Sequence, residues 1–279
     1  MDTKKLKVCI FVHYSTSEKL PYYVKIYINE LSLYFDKVKV LTNNSKITSE
    51  NSLVNSNVSF EYFENRGYDF GMIYRYISKQ NSDEFAELAF VNDSNILLNK
   101  LNKVIDTGRK SNSDFWGIID SNEKPWFSTH TDNYHIQSHF LVLKEKAIKQ
   151  LSHFFKQLNV NEIMNEPDPK QLRRMVIDRW EIGLSQYLLN QGLTSFSFIK
   201  SKDAGRKFKT KKKNLTHSHY LELIRLGYPL LKKKVTGKNG RFNFLKRRRN
   251  IFDELLPTCN PNWNFSAIYN EMTGVNSDT

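Results

Sequence analysis

Apolar positions come in short runs separated by polar stretches, and the lengths of the runs distinguish two kinds of element. Val8-Cys9-Ile10-Phe11-Val12 is continuously apolar and too short for a helix, the pattern of a strand buried on both faces. Val38-Lys39-Val40-Leu41, Val58–Phe63 and Leu88-Ala89-Phe90-Val91 read as three further strands. Between them, Tyr22–Tyr34 carries Val24, Ile26, Ile28, Leu31 and Leu33, and Phe70–Ile77 has a helical pattern. This alternation predicts an α/β fold with a mainly parallel sheet flanked by helices. Farther along, Asp114–Ile119, Ile136–Leu143 and Thr194–Ile199 read as strands, and Arg173–Asn190 as a long helix with Gly192 placed to cap its end. A helical stretch around His219–Leu226 and a glycine-containing link at Gly237–Gly240 complete the pattern.

Composition adds size and charge. A chain of 279 residues, 39% hydrophobic with 14 Tyr and 19 Phe, is long enough for an enzyme-sized core. The +13 net charge is uneven: residues 205–250 hold sixteen Lys or Arg and one acid, Glu222, so this stretch alone carries +15. The break predicts a near-neutral catalytic domain over 1–204 and a basic C-terminal extension over 205–279 that closes the site. Such a basic segment suits an anionic partner: nucleic acid, a membrane surface or a diphosphate-bearing substrate. The start, Met1–Lys7, leads into an apolar run that ends at His13, which fits neither a signal peptide nor a membrane span, so a cytoplasmic location is expected. Cys9 and Cys259 have no partners at metal-like spacing, which argues against a zinc site or a disulfide framework.

Ligands of open α/β sheets bind beyond the carboxyl ends of the strands, so candidate chemistry is sought there. Three segments qualify: His13-Tyr14, Asn65–Asp69 and Asn92-Asp93-Ser94. Asp93 offers a hard oxygen ligand for Mg²⁺ or Mn²⁺ at the sheet edge, although a strand ending in Asn-Asp is also an ordinary turn. Arg66-Gly67-Tyr68-Asp69-Phe70-Gly71 combines a cation, an acid and an aromatic before a helix and suits a nucleotide, with a structural loop capped by Asp69 as the alternative. Glu181, in Arg179-Trp180-Glu181, is a carboxylate that partial desolvation would turn into a general base; otherwise it is a solvated helix residue. The alternation in Tyr134–Phe140 puts His135, Gln137 and His139 on one strand face, where His135 and Gln137 could contact sugar hydroxyls, with a solvent-facing strand surface as the alternative.

Taken in order, Val12-His13-Tyr14, Arg66–Gly71, Phe90–Ser94, Asp114–Gly117, His135–Phe140, Trp180–Ser185, Asn214–His217 and Gly227-Tyr228-Pro229 resemble the rhamnan synthesis protein F family of bacterial polysaccharide glycosyltransferases. The resemblance spans most of residues 7–235. It implies a GT-A-like, Rossmann-type domain that moves a sugar from a nucleotide-sugar donor to a cell-surface polysaccharide or lipopolysaccharide precursor. His13, Tyr14, Arg66, Asp69, Asn92 and Asp93 then become donor-binding candidates. Asn92-Asp93-Ser94 stands where such enzymes carry an Asp-any-Asp metal motif, with Asn in place of the first acid. Trp180-Glu181 is similar to an acidic pair that opens a helix in inverting enzymes, which makes Glu181 the implied base. His217 lies where a further metal or diphosphate ligand is often drawn, so a divalent cation would rest on Asp93 and His217. A glycan or lipid-diphosphate-linked acceptor and a peripheral membrane contact through the basic extension follow from the same likeness.

Two other classes compete. Lys207–Lys213 and Lys246–Arg249 interleave with Phe208, Phe242 and Phe244, a pattern that suits phosphate contacts and base stacking, but the charge is confined to the tail and no nucleic-acid motif accompanies it. A non-catalytic scaffold of a polysaccharide assembly complex would keep the fold without the chemistry.

Overall fold

The computed structural model describes residues 4–211, 214–236 and 254–273. Gly237–Gly240 and Lys246–Arg249 lie outside the described residues. Ten strands are present among them: β1 (Leu6–His13), β2 (Lys37–Thr42), β3 (Val58–Tyr62), β4 (Phe85–Asn92), β5 (Asn95–Leu97), β6 (Phe115–Ser121), β7 (His135–Ile136), β8 (Phe140–Lys144), β9 (Ser195–Ile199) and β10 (Leu230–Lys232). The main sheet runs β3-β2-β1-β4-β8-β6-β7, with β9 also beside β6. β1, β2, β3 and β4 are mutually parallel, as are β6 and β9, while β8 runs antiparallel between β4 and β6.

The apolar runs are continuous because both faces of the sheet are covered. Cys9 and Phe11 of β1 face one core with Val24, Tyr27 and Leu31 of the helix Tyr22–Ser32. Val8, Ile10 and Val12 face the other with Phe70 and Ile73 of the helix Tyr68–Ile77 and with Ile148 and Leu151 of the helix Glu145–Gln157. The first core also takes in Leu215, Leu223, Tyr228 and Leu230, so the segment after residue 204 shares the core of the sheet domain. Position 204 itself falls inside the helix Ser201–Lys207.

Two expected elements differ. The strand expected over Ile136–Leu143 is broken: β7 ends at Ile136, Gln137 N–H donates to Ile119 O (3.0 Å), and the chain turns before β8 begins at Phe140. His135, Gln137 and His139 are therefore not one strand face. The helix expected over Arg173–Asn190 begins earlier, as Pro169–Met175, and continues as a π-helical segment Val176–Ile182 and the α-helix Gly183–Asn190. Glu181 thus sits inside a continuous helix and does not open one. At its end Gly192 takes the left-handed conformation (φ 77°), with Gly192 N–H on Leu189 O and Leu193 N–H on Leu188 O, as a glycine cap requires.

Candidate active site

The carboxyl ends of β1, β4 and β6 open into a cavity of about 810 Å³, within the range of small-molecule sites. Its walls differ in how their polar groups are satisfied.

One wall is built by the loop before the helix Tyr68–Ile77 and by the turn after β4. Gly67 and Tyr68 are both left-handed (φ 73° and 53°), a conformation that costs a non-glycine residue and tends to persist at functional sites. Gly71 has no alternative: a Cβ there would lie 1.7 Å from the carbonyl oxygen of Arg66. This tight loop places Asp69 in the first turn of the helix, where it is not the cap. Its Oδ2 accepts from Nδ2 of Asn92 (2.9 Å) and its Oδ1 from the Phe70 N–H (3.0 Å). Burial raises the Asp69 pKa. The amide at 92 now has a physical reason: it donates to Asp69 while its Oδ1 accepts from Ser94 N–H and Oγ–H (3.2 and 2.6 Å), and an aspartate could not donate. Asp93 is equally engaged. Its N–H donates to Val12 O (3.1 Å), and its Oδ2 accepts from Nδ1 of the buried His13 (2.8 Å) and from Nζ of Lys233 (3.2 Å), which also donates to the Tyr23 hydroxyl (3.0 Å).

The opposite wall is the π-helical segment. Trp180 is buried against Phe70, Phe90 and Phe155, with ring centroids 5.2, 5.7 and 6.0 Å away, and anchors the segment to the sheet. Asp178 accepts from Thr129 N–H and Oγ1 (2.9 and 2.7 Å) and so ties down the loop between β6 and β7, whose Glu123 and Phe127 line the cavity. Glu181, half-buried, faces the cavity. Desolvation, then the negative charge of Asp69, push its pKa up to about 7, against the pull of Lys232, a Ser138 hydrogen bond and Arg173. π-helical turns are uncommon and recur at functional sites.

The third wall comes from the far end of the chain. β10 pairs antiparallel with β5, the strand that follows Asn92-Asp93-Ser94, and Lys233 N–H donates to Ser94 O (3.0 Å). Lys232 and Lys234 line the cavity beside His217 and Arg173, whereas Lys233 goes to Asp93. Burial lowers the Lys232 pKa, and burial together with Lys232 and Lys234 lowers that of His217. Below them His139 is fully buried, its Nε2 paired with the Tyr228 hydroxyl (2.7 Å), and burial drives its pKa well down. His135 is held through Nδ1 to Asn133 O (2.8 Å), and burial lowers its pKa too.

Of the candidate residues, Tyr14, Asp69, Asn92, Asp93, His135, Gln137, Glu181 and His217 meet in this cavity. His13 supports Asp93 from beneath. Arg66 is not in the cavity wall; it is exposed, and its Nε pairs with Glu64 Oε2 (3.0 Å). Lys232, Lys234 and Arg173 also line the cavity and are not among the sequence candidates, although the Lys-Lys-Lys run directly after the apolar Leu230-Leu231 is a readable signal.

A divalent cation does not fit the donors present. Asp93 is already bound to a lysine and a histidine, Asn92 is turned to Asp69, and His217 stands among lysines. Among the described residues no three His, Cys, Asp or Glu side chains are grouped so as to hold a metal ion. No helix of the described residues is long and apolar enough to cross a membrane.

A family model described as rhamnan synthesis protein F matches residues 38–276. No curated protein matches the chain in sequence. Among solved structures, the glycosyltransferase GlyE of Streptococcus pneumoniae TIGR4 is 10% identical with a TM-score of 0.44, over 96% of this chain and 63% of that one. The bifunctional IspDF of Campylobacter jejuni is 12% identical with a TM-score of 0.41, over 71% of this chain and 50% of that one. The chain thus spans less than two thirds of either protein.

Proposed function

The chain belongs to the rhamnan synthesis protein F family, and from that premise we propose that it is a glycosyltransferase of the GT-A type. It takes a sugar from a nucleotide-sugar donor, with dTDP-rhamnose the first candidate, and passes it to a hydroxyl of a growing surface polysaccharide. The observation that supports this best is Glu181: a carboxylate with a pKa near 7 facing a cavity that also holds lysines without ion-pair partners among the described residues. A base with that pKa is ionised for part of the population at neutral pH and still takes a proton readily.

In the reaction, Glu181 takes the proton of the acceptor hydroxyl as its oxygen bonds to the anomeric carbon from the face opposite the leaving group. The bond from that carbon to the phosphate oxygen breaks, its electron pair stays on the oxygen, and the nucleoside diphosphate leaves with one more negative charge. The configuration inverts. Tyr14, Asp69 and Asn92 shape the donor side of the cavity, and His135 and Gln137 the acceptor side. The acceptor is read as a glycan on a lipid diphosphate at the inner face of the cell membrane, with the basic extension as its membrane contact.

A thermal-shift screen of UDP-, GDP-, dTDP- and CMP-sugars on the full chain, paired with detection of released nucleoside diphosphate, tests the reading. One nucleotide class should raise Tm and be turned over. If all four leave Tm unchanged and none is cleaved by the folded protein, the proposal fails.

A further inference from the structure

A departing nucleoside diphosphate needs its charge neutralised, and the carboxylates of this cavity are not arranged to hold a metal that would do so. Beside the carboxylates of Asp69, Asp93, Glu123 and Glu181, the cavity lining carries the cations Arg173, Lys232 and Lys234. Lys232 is half-buried and Lys234 exposed, both line the cavity, and neither is in an ion pair with a described residue. Burial of the Lys232 ammonium is offset only by the charges of Glu181 and Asp69, with which it forms no ion pair, and an anionic ligand would lower that cost further. Arg173 lines the same cavity from the π-helical side.

The pairing of β10 with β5 explains how these groups are held. Lys232 stands opposite Asn95, and the Lys233 N–H to Ser94 O bond locks the lysine run against the turn after β4. Lys233 then spends its charge on Asp93 and its neighbours project into the cavity. Asp93 so becomes the anchor of the lysine run. Where a metal motif would put carboxylates around a cation, this chain uses a carboxylate to seat a strand of lysines.

We propose that Lys232 and Lys234, steadied by the Lys233 to Asp93 ion pair, bind the donor's diphosphate and neutralise the charge on the departing nucleoside diphosphate in place of a divalent cation. This rests on the glycosyltransferase reading for the nature of the leaving group. The proton still goes to Glu181, and the electron pair of the broken bond stays on the phosphate oxygen, which the ammonium groups face.

Calorimetric titration of the full chain with inorganic pyrophosphate in excess EDTA tests the proposal. Binding should persist in EDTA, weaken about tenfold in Lys234→Ala and about a hundredfold in the Lys232→Ala/Lys234→Ala double variant, and recover in Lys232→Arg. Lys234 is exposed, so its variant stays informative should the double variant fail to fold. Absence of binding until Mn²⁺ is added, or less than a twofold effect of Lys234→Ala and of the double variant, overturns the proposal. Nucleoside diphosphate release from the donor panel separates the two readings. Turnover that EDTA abolishes overturns the lysine assignment and leaves the glycosyltransferase intact. Lysine-dependent pyrophosphate binding with no donor turned over supports the anion site and overturns the glycosyltransferase reading.

Discussion

The first wall of the cavity and the other two hold similar residue types in opposite states. Around the turn after β4, Asp69 is bound to Asn92, and Asp93 to both His13 and Lys233, all within 3.2 Å. On the other two, Glu181, Lys232 and Lys234 are without ion pairs among the described residues, and burial displaces the pKa values of Glu181 and Lys232. Polar groups that satisfy each other stabilise a shape. Charged groups without an ion pair are available to a ligand, and shifted acidities often mark such groups, although burial also raises that of Asp69 on the first wall. The contrast assigns architecture to the first wall and chemistry to the other two, against the order in which the sequence draws attention to them.

The sharpest way to break this contrast is at Glu181. Glu181→Gln should lower kcat on the order of 10³-fold with the fold intact, and the wild-type rate should fall about tenfold per pH unit below about 7, since only the ionised carboxylate accepts a proton. The same shift sets a stability sign. Between the ordinary value of 4.5 and about 7 the folded chain keeps a proton that the unfolded chain releases. That contribution is present below pH 4.5 and is lost as pH rises to 7. The variant should therefore gain in Tm relative to wild type above pH 7, and a mutant whose Tm falls instead would mark Glu181 as architectural.

A smaller effect, of a different kind, is expected from the first wall. Asp93→Ala removes an acceptor from buried His13 and from Lys233 and should cost about 1–3 kcal/mol of stability in denaturant titrations. Loss of turnover should follow through weaker donor binding, seen as a raised KM. A kcat loss equal to that of Glu181→Gln with unchanged stability would erase the distinction between the walls. The smallest effect belongs to Arg66, outside the cavity in an exposed pair with Glu64. Arg66→Ala should change nucleotide affinity by less than about twofold and stability by less than about 0.5 kcal/mol. A larger loss of affinity would return Arg66 to the donor site.

Much of the site was legible because parallel strands must end on the same side. Tyr14, Asp69, Asn92 and Asp93 each follow an apolar run, and the α/β alternation alone placed those ends together. The same logic misled at Arg66, where nothing local distinguishes a side chain turned inward from one turned out to Glu64. It misled again at His135–His139, where period-two alternation was read through a turn created by pairing with β6.

Local patterning thus determined the first four main strands, their parallel direction, the glycine that ends the long helix at Gly192, and the segments that border the cavity. These follow from short-range sterics and from the burial of apolar runs, which neighbouring residues suffice to encode. Only the tertiary structure decided that Glu181 lies on a π-helical turn, that Asp69 raises its pKa, and that Lys233 meets Asp93 from 140 positions away. Desolvation and Coulomb energy depend on what surrounds a group in space, and here those surroundings come from segments far apart in the sequence.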